Sequence, residues 1–114
     1  MEISRFHTLL KNKKFLQRVF TAQEIRYCQS KKNTAQHFAV RFAAKEAVWK
    51  ALSGASGVAG IGHKEIGVEH LNSGQPVAVL SKRLKKFEAQ LSLSLSHSRD
   101  CALAVCVWNG AHSS

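Results

Sequence analysis

The strongest structural signal in the chain is the stretch Thr34-Ala-Gln-His-Phe-Ala-Val-Arg-Phe-Ala-Ala-Lys-Glu-Ala-Val-Trp-Lys-Ala-Leu52. It is rich in alanine and contains neither glycine nor proline, a composition that predicts an α-helix. Six side chains can form one buried side of this helix: Phe38, Ala39, Phe42, Ala43, Ala47 and Leu52. Gly54 follows the stretch, and we expect it to end the helix as a C′ residue.

Two further helical segments are predicted before this one. Apolar residues recur at helical spacing over residues 3–19 between lysines and arginines, which predicts a basic helix that Asn12 can interrupt with a turn. Thr21 is followed three residues later by Glu24, the pattern of a capping box. A short helix through about Cys28 is therefore expected.

The second half of the chain changes to strand patterns after a glycine-rich loop over residues 54–62. Alternating and apolar segments predict two β-hairpins, 66–71 with 77–80 and 92–98 with 102–108. The turn Asn72–Pro76 closes the first hairpin, and residues 82–91 fit a short basic amphipathic helix. The predicted class is α+β, with helices packed on a mostly antiparallel sheet in one domain of residues 1–114.

Composition bounds the class of protein. The chain has 114 residues, of which 45% are hydrophobic and 21% charged, typical of a globular domain with a real core. No apolar run is long enough to span a membrane, and residues 1–7 lack the apolar stretch of a signal peptide. Three cysteines without a CxxC pair argue against a disulfide framework and a cysteine-rich zinc site. They indicate a reducing, cytoplasmic compartment.

The net charge of +10 predicts an anionic partner. Nucleic acid, a phosphorylated small molecule, an acidic protein and an anionic membrane surface all fit that charge. Residues 1–50 hold 11 basic and 3 acidic side chains, a net of +8, whereas residues 51–114 hold 6 and 4, a net of +2. The surface that faces the anion is therefore expected in the first half.

Glu46 and Lys50 lie one turn apart on the long helix and share a face. A carboxylate and an ammonium in this arrangement can hold a divalent metal ion and the phosphate that it bridges. The same spacing also suits a surface ion pair worth only ~0.3–0.5 kcal/mol, so both interpretations stay open. Arg41 and Lys45 are expected on an adjacent face, where they add positive charge.

His97 lies at the predicted end of a strand, within Leu95-Ser-His-Ser-Arg-Asp100. There it can contact a phosphate or act as an acid or base, or it can be a turn histidine held by neighbouring hydroxyls. The remaining histidines lack metal-ligand spacing and are expected to be ordinary surface residues: His7, His37, His63, His70 and His112. The glycine loop lacks both the dinucleotide-binding and the P-loop patterns.

Several blocks of the chain, in order, resemble the holo-acyl-carrier-protein synthase family of bacterial 4′-phosphopantetheinyl transferases. The block Arg41–Lys50 is similar to the family pattern RFAAKEAxxKA, and Ser94–Asp100 is similar to its SLSHxrd stretch. Both are specific. The resemblance extends over nearly the whole chain through three further blocks: Glu2–Phe6, Phe15–Glu24 and Ile66–Pro76.

This resemblance implies a fold and an activity. The family forms homotrimers of the 4′-phosphopantetheinyl transferase fold, with active sites between subunits. Its members transfer 4′-phosphopantetheine from coenzyme A to a serine of acyl carrier protein and release adenosine 3′,5′-bisphosphate, with Mg²⁺ as cofactor. Both implied partners, coenzyme A and acyl carrier protein, are anionic and suit the charge of the chain. A membrane and nucleic acid are not among them.

The resemblance also implies roles for particular residues. Glu46 corresponds to the Mg²⁺ ligand, Lys50 to the lysine that meets the phosphates of the coenzyme, and His97 to the histidine near the coenzyme. These three are the implied catalytic set. The implied coenzyme site comprises Arg41, Lys45, Lys50, Gly54, Gly74, Pro76 and His97. The basic first helix is implied to receive the carrier protein through Arg5, Lys11, Lys14 and Arg18.

Two features depart from the family pattern. The family opens with a glycine-rich strand whose Asp is a second metal ligand, whereas this chain begins at Met1-Glu2-Ile3 and Asp100 is its only Asp. The expectation is a start further upstream, or a protein with one ligand and one strand fewer. Gln75 stands where the family commonly has lysine, so one phosphate contact is expected to be lost.

Two other functions remain open at this stage. The first is a weakly active or inactive homologue that binds coenzyme A or acyl carrier protein. The second is a small basic nucleic-acid-binding domain, which rests on charge alone.

Overall fold

The computed structural model describes residues 2–109, and its helices precede its strands as the sequence predicts. Four α-helices come first: α1 Ser4–Leu9, α2 Lys13–Val19, α3 Ala22–Gln29 and α4 Thr34–Ala55. Four strands follow: β1 Ile66–His70, β2 Pro76–Leu80, β3 Leu91–His97 and β4 Ala102–Trp108. Two 3₁₀ helices lie at His63–Glu65 and Lys82–Gln90. The α+β class is confirmed.

Side-chain caps begin two of the three short helices, α2 and α3. Asn12 begins α2, because its Oδ1 accepts a hydrogen bond of 3.1 Å from the backbone N–H of Phe15. The predicted interruption of the basic segment is therefore confirmed, and the segment forms two helices. Thr21 Oγ1 accepts from the N–H of Glu24 at 3.2 Å, and Glu24 Oε1 accepts from the N–H of Thr21 at 3.0 Å. This reciprocal capping box begins α3 as predicted.

The long helix α4 does not end at Gly54, so that part of the prediction is wrong. The helix continues to Ala55, and its last turn is closed by Ser56. Both the N–H and the hydroxyl of Ser56 donate to the carbonyl of Leu52, at 2.9 and 2.6 Å. Gly57 then takes a positive φ of 75°, the conformation that ends a helix. Ser56 thus satisfies the carbonyl of Leu52 at the end of the helix, and Gly57 turns the chain away. Gly54 lies inside the last turn and does neither.

The strands form two antiparallel hairpins, and these are separate two-stranded sheets rather than the single sheet expected. In the first hairpin Val68 lies opposite Ala78, and the connection over residues 71–75 turns at Gly74, where φ is 90°. In the second hairpin Ser94 lies opposite Val105. The basic helix predicted at 82–91 is a 3₁₀ helix at Lys82–Gln90, in which Leu84 is buried.

Helix α4 joins two hydrophobic clusters. Its first half packs on the short helices through residues that include Phe6, Leu16, Phe20, Cys28 and Phe38. Its second half packs on both hairpins through residues that include Val48, Leu52, Ile66, Leu80 and Leu93. Among residues 2–109, no helix is both long and apolar enough to cross a membrane. The same helix therefore organises the core and carries five of the twelve predicted site residues.

Candidate functional site

Two neighbouring residues of α4, Lys45 and Glu46, point into different surroundings. The side chain of Lys45 is fully buried, whereas that of Glu46 is 36% exposed. Successive residues of an α-helix are rotated by about 100°, so adjacent positions reach different surroundings. The ammonium of Lys45 therefore lies in the core, and the carboxylate of Glu46 is accessible to solvent.

The buried Lys45 is held by a complete set of acceptors. Its Nζ lies 2.8 Å from Glu24 Oε1, and it donates to the backbone carbonyls of His63, at 3.0 Å, and Ile66. Burial lowers the pKa of Lys45, and the Glu24 carboxylate opposes that shift. The expectation that Lys45 adds positive charge to an exposed helix face is wrong, because its ammonium links α4 to α3 and to the start of β1.

Arg41 is also buried, with 4% exposure, so the expectation that it adds positive charge beside Glu46 and Lys50 is wrong as well. Its guanidinium carbon lies 4.2 Å from the centre of the Tyr27 ring, a cation–π contact. Burial raises the pKa of the neighbouring Cys28 thiol to about 11, and Arg41 partly offsets this shift. Arg41 lines a cavity of about 520 Å³ that also includes Tyr27 and His70. That cavity does not include Glu46.

Glu46 and Lys50 line one groove between α4 and β4, with a volume of about 860 Å³. The other lining residues are mostly small or apolar and include Phe42, Ala43, Ala47, Ala102, Leu103 and Ala104. In the described part of the chain Glu46 Oε1 lies 2.9 Å from His63 Nε2, and no ion pair joins Glu46 to Lys50. The simple surface ion pair within the helix is therefore not formed, and the ammonium of Lys50 stays exposed.

His63 is the residue that sequence reasoning missed. Its Nε2 lies 2.9 Å from Glu46 Oε1, and its ring stacks on Phe42 with a centroid distance of 6.3 Å and an interplanar angle of 8°. The prediction of an ordinary surface histidine is wrong here, because the partly buried ring is held by Glu46 and Phe42. His63 and Glu46 are 17 residues apart across the glycine loop, so no local spacing could reveal the pair. His112 lies outside the described residues.

The donors around Glu46 fit a divalent cation. A carboxylate is the hard oxygen ligand that Mg²⁺ prefers, and Mg²⁺ sites commonly use one or two carboxylates together with substrate phosphates and water. Within residues 2–109 no group of three or more His, Cys, Asp or Glu side chains converges on one point. A metal ion held by Glu46 would therefore need further oxygen ligands besides these side chains.

His97 lies elsewhere on the chain. It ends β3, and its Nδ1 is 2.8 Å from Nε2 of Gln36 in the first turn of α4. Gln36 and Glu46 are ten residues apart, which corresponds to about 15 Å along a helix. Lys32, Gln36 and Arg99 line a basic groove of about 580 Å³ on that side. Within one chain, the structure does not bring His97 together with Glu46 and Lys50.

The other predicted site residues are spread over the surface. Gly54 lies in the last turn of α4, and Gly74 and Pro76 lie at the turn between β1 and β2. Four basic side chains on α1, α2 and their connection are all exposed: Arg5, Lys11, Lys14 and Arg18. Their positive charges are therefore available to an external partner.

Comparison with known proteins gives a consistent result. A family model described as the 4′-phosphopantetheinyl transferase superfamily matches residues 1–106. The holo-[acyl-carrier-protein] synthase of Geobacter sp. (strain M21) is 42% identical, over 94% of this chain and 90% of the relative.

Solved structures agree. The crystal structure of holo-[acyl-carrier-protein] synthase from Neisseria meningitidis has a TM-score of 0.79 and 31% identity, with 95% of this chain and 91% of that chain covered. The Helicobacter pylori synthase in complex with coenzyme A has a TM-score of 0.76 and 31% identity, with 95% and 94% covered.

Proposed function

The chain belongs to the 4′-phosphopantetheinyl transferase superfamily, and on this premise we propose that it transfers 4′-phosphopantetheine from coenzyme A to a serine of an acyl carrier protein. The observation that carries the proposal is the exposed Glu46 beside Lys50 in the α4–β4 groove, within the block that resembles the family signature. The released product is adenosine 3′,5′-bisphosphate. Charge alone supports a nucleic-acid-binding domain, so the transferase is favoured.

In the proposed reaction the serine oxygen attacks the phosphorus that carries the pantetheine arm. A bond forms from that phosphorus to the serine oxygen, and the bond to the bridging oxygen breaks. The electron pair leaves on adenosine 3′,5′-bisphosphate, and the serine proton passes to a carboxylate or to water. Such a step depends mainly on positioning and charge neutralisation.

Within this reaction the two α4 residues have different tasks. Glu46 would hold the divalent ion, and Lys50 would neutralise charge on the pyrophosphate oxygens. When bound, Mg²⁺ supplies Lewis-acid polarisation of the pyrophosphate. The apolar wall of the groove, which includes Ala47 and Leu103, would limit access of water to the phosphates.

The proposal includes a homotrimer with active sites shared between subunits. His97 contacts Gln36, which lies about 15 Å along α4 from Glu46. Within one chain His97 is therefore too far from Glu46 to act on the same phosphate. The outer face of β4 also leaves Leu103 61% exposed and Val105 and Val107 each 50% exposed. Contiguous apolar surface of this kind favours burial against another subunit. Neighbouring chains would thus bring His97 of one to Glu46 of the next.

The carrier protein is proposed to bind the exposed basic residues of α1 and α2. Arg5, Lys14 and Arg18 would pair with carboxylates of the acidic partner and steer its approach. These pairs would be weakened by salt because they are exposed. The free cysteines and the proposed substrates suit a cytoplasmic enzyme.

Two measurements test the proposal. Incubation of the chain with coenzyme A, Mg²⁺ and apo-acyl carrier protein should raise the mass of the carrier protein by one phosphopantetheine group. No gain in mass would contradict the transferase activity.

The shared site is tested by mixing variants. Glu46→Gln and His97→Ala should each be inactive, and a refolded one-to-one mixture should regain part of the activity. A mixture as inactive as its components would contradict a site built between subunits.

A further inference from the structure

Helix α4 holds the segment over residues 61–66 against itself with several side chains. Trp49 Nε1 donates to the carbonyl of Ile61 at 2.9 Å, and Lys45 Nζ donates to the carbonyls of His63 and Ile66. The ring of Phe42 stacks on the ring of His63. These anchors fix both the backbone and the ring plane of His63, so the approach of its Nε2 to Glu46 is built into the fold.

From this arrangement we infer that His63 Nε2 and Glu46 Oε1 together bind one divalent metal ion, and that this site prefers a transition-metal ion such as Mn²⁺ to Mg²⁺. The inference rests on the proposed role of Glu46 and adds a ligand and an ion preference to it. Two adjacent ligands at about 2.1 Å from an octahedral ion lie about 3.0 Å apart. The observed separation of the two atoms is 2.9 Å. This distance is equally that of a hydrogen bond, so a bound ion would take the place of the hydrogen between the two atoms.

The chemistry of the second donor decides the preference. Imidazole nitrogen is a ligand for transition-metal ions, whereas Mg²⁺ selects oxygen ligands. Without an ion, one hydrogen lies between Nε2 and Oε1. With an ion bound, the neutral ring carries its hydrogen on Nδ1 and presents the Nε2 lone pair to the metal. The stacking on Phe42 keeps the ring in place during this exchange.

The test is electron paramagnetic resonance of Mn²⁺ added to the full chain. Binding removes the signal of the free ion, and electron spin echo modulation from ¹⁴N reports an imidazole ligand directly. We expect ¹⁴N modulation in the wild-type protein. His63→Phe preserves a ring that can stack on Phe42 but removes the nitrogen, and should abolish the modulation. It should also weaken Mn²⁺ binding by about tenfold or more while changing Mg²⁺ binding little.

The control is His70→Phe, which removes an exposed histidine of β1 and should leave both readouts unchanged. Mn²⁺ binding that depends on Glu46, shown by its loss in Glu46→Gln, but without ¹⁴N modulation would overturn the role of His63 and leave that of Glu46 intact. ¹⁴N modulation that persists in His63→Phe would also overturn the role of His63 as a ligand. If wild-type and Glu46→Gln proteins bind Mn²⁺ equally or not at all, both the ligand pair and the proposed metal role of Glu46 are wrong.

Discussion

Lys45 and Glu46 are adjacent in the chain and carry opposite charges, yet they occupy contrasting regions of the molecule. Lys45 lies in the core with Glu24 and two backbone carbonyls, where every hydrogen of its ammonium has an acceptor. Glu46 lies at the edge of an open groove and shares a hydrogen bond with His63. The comparison shows how burial separates a charge that maintains the fold from a charge that is free to bind a ligand.

The two regions are also mechanically connected. The carbonyl that accepts from Lys45 belongs to His63, the residue whose ring meets Glu46. The buried Lys45 therefore helps to position His63, which is the hydrogen-bond partner of Glu46. Variants at each position can separate the contribution to stability from the contribution to activity.

The largest expected effect is on stability, in Lys45→Met. Removal of the ammonium leaves the buried carboxylate of Glu24 without its charge partner, which costs about 3–5 kcal/mol of unfolding free energy. Urea unfolding measures this loss. Lys50→Met removes an exposed lysine from the same helix and should change stability by less than about 0.5 kcal/mol.

A double variant, Glu24→Gln with Lys45→Met, sharpens that result. It should recover part of the loss, because no unpaired charge remains in the core. Equal stability of wild-type and Lys45→Met proteins would show that the buried pair does not maintain the fold.

The next effect concerns Lys50 and the coenzyme. Hydrogen bonds to charged groups contribute about 1.5–3 kcal/mol, so Lys50→Met should weaken coenzyme A binding about 10- to 100-fold. Isothermal titration calorimetry measures the dissociation constant. Lys13→Met, an exposed lysine of α2, serves as the control for net charge. Unchanged affinity in Lys50→Met would remove Lys50 from the proposed site.

A smaller effect is expected at the cap of α3. Thr21→Ala removes the hydroxyl that accepts from the N–H of Glu24, and should cost about 1 kcal/mol of unfolding free energy. Thr8→Ala, an exposed threonine within α1, is the matched control. If the two variants are equally stable in urea, the capping box contributes nothing measurable.

The smallest effect is a pH dependence at Glu65. Hydrogen bonds from Arg83, from the N–H of Gly62 and from Ser81 lower the pKa of Glu65 from 4.5 to about 2. The stabilisation is therefore complete above pH 4.5 and is lost as the pH falls towards 2. Because Arg83 is half exposed and water screens the pair, the loss should be the smallest of these effects.

Urea unfolding between pH 6 and pH 2 should show this loss in the wild-type protein and much less of it in Glu65→Gln. The control is Glu69→Gln, an exposed carboxylate of β1. A steeper acid dependence in Glu65→Gln than in the wild type would contradict the assignment.

Local signals in the sequence predicted most of the fold. The capping box of Thr21 and Glu24, the break at Asn12 and both hairpins depend on residues close in the chain, and all are confirmed. The end of α4 was misplaced, because the hydroxyl of Ser56 satisfies a terminal carbonyl and allows Gly54 to stay helical. Whether the hairpins merge into one sheet depends on tertiary packing, which period-two alternation does not encode.

The site was only partly predictable for the same reason. Spacing on a helix placed Glu46 and Lys50 on one groove. It did not show that Arg41 and Lys45 are buried, since lysine and arginine are usually exposed unless paired. Glu24, the partner of Lys45, stands 21 residues earlier in the chain, and His63 reaches Glu46 only after the glycine loop folds back. Such contacts are long-range.

The central claim is that Glu46 acts in the chemistry while its neighbour Lys45 maintains the fold. Its most direct test is the rate of phosphopantetheine transfer to apo-acyl carrier protein, followed by mass spectrometry, for wild-type and Glu46→Gln proteins whose urea unfolding has been compared. We expect unchanged stability and a loss of rate of about a hundredfold or more, since metal-assisted charge stabilisation contributes several kcal/mol. A Glu46→Gln protein that transfers the group at the wild-type rate would contradict the claim.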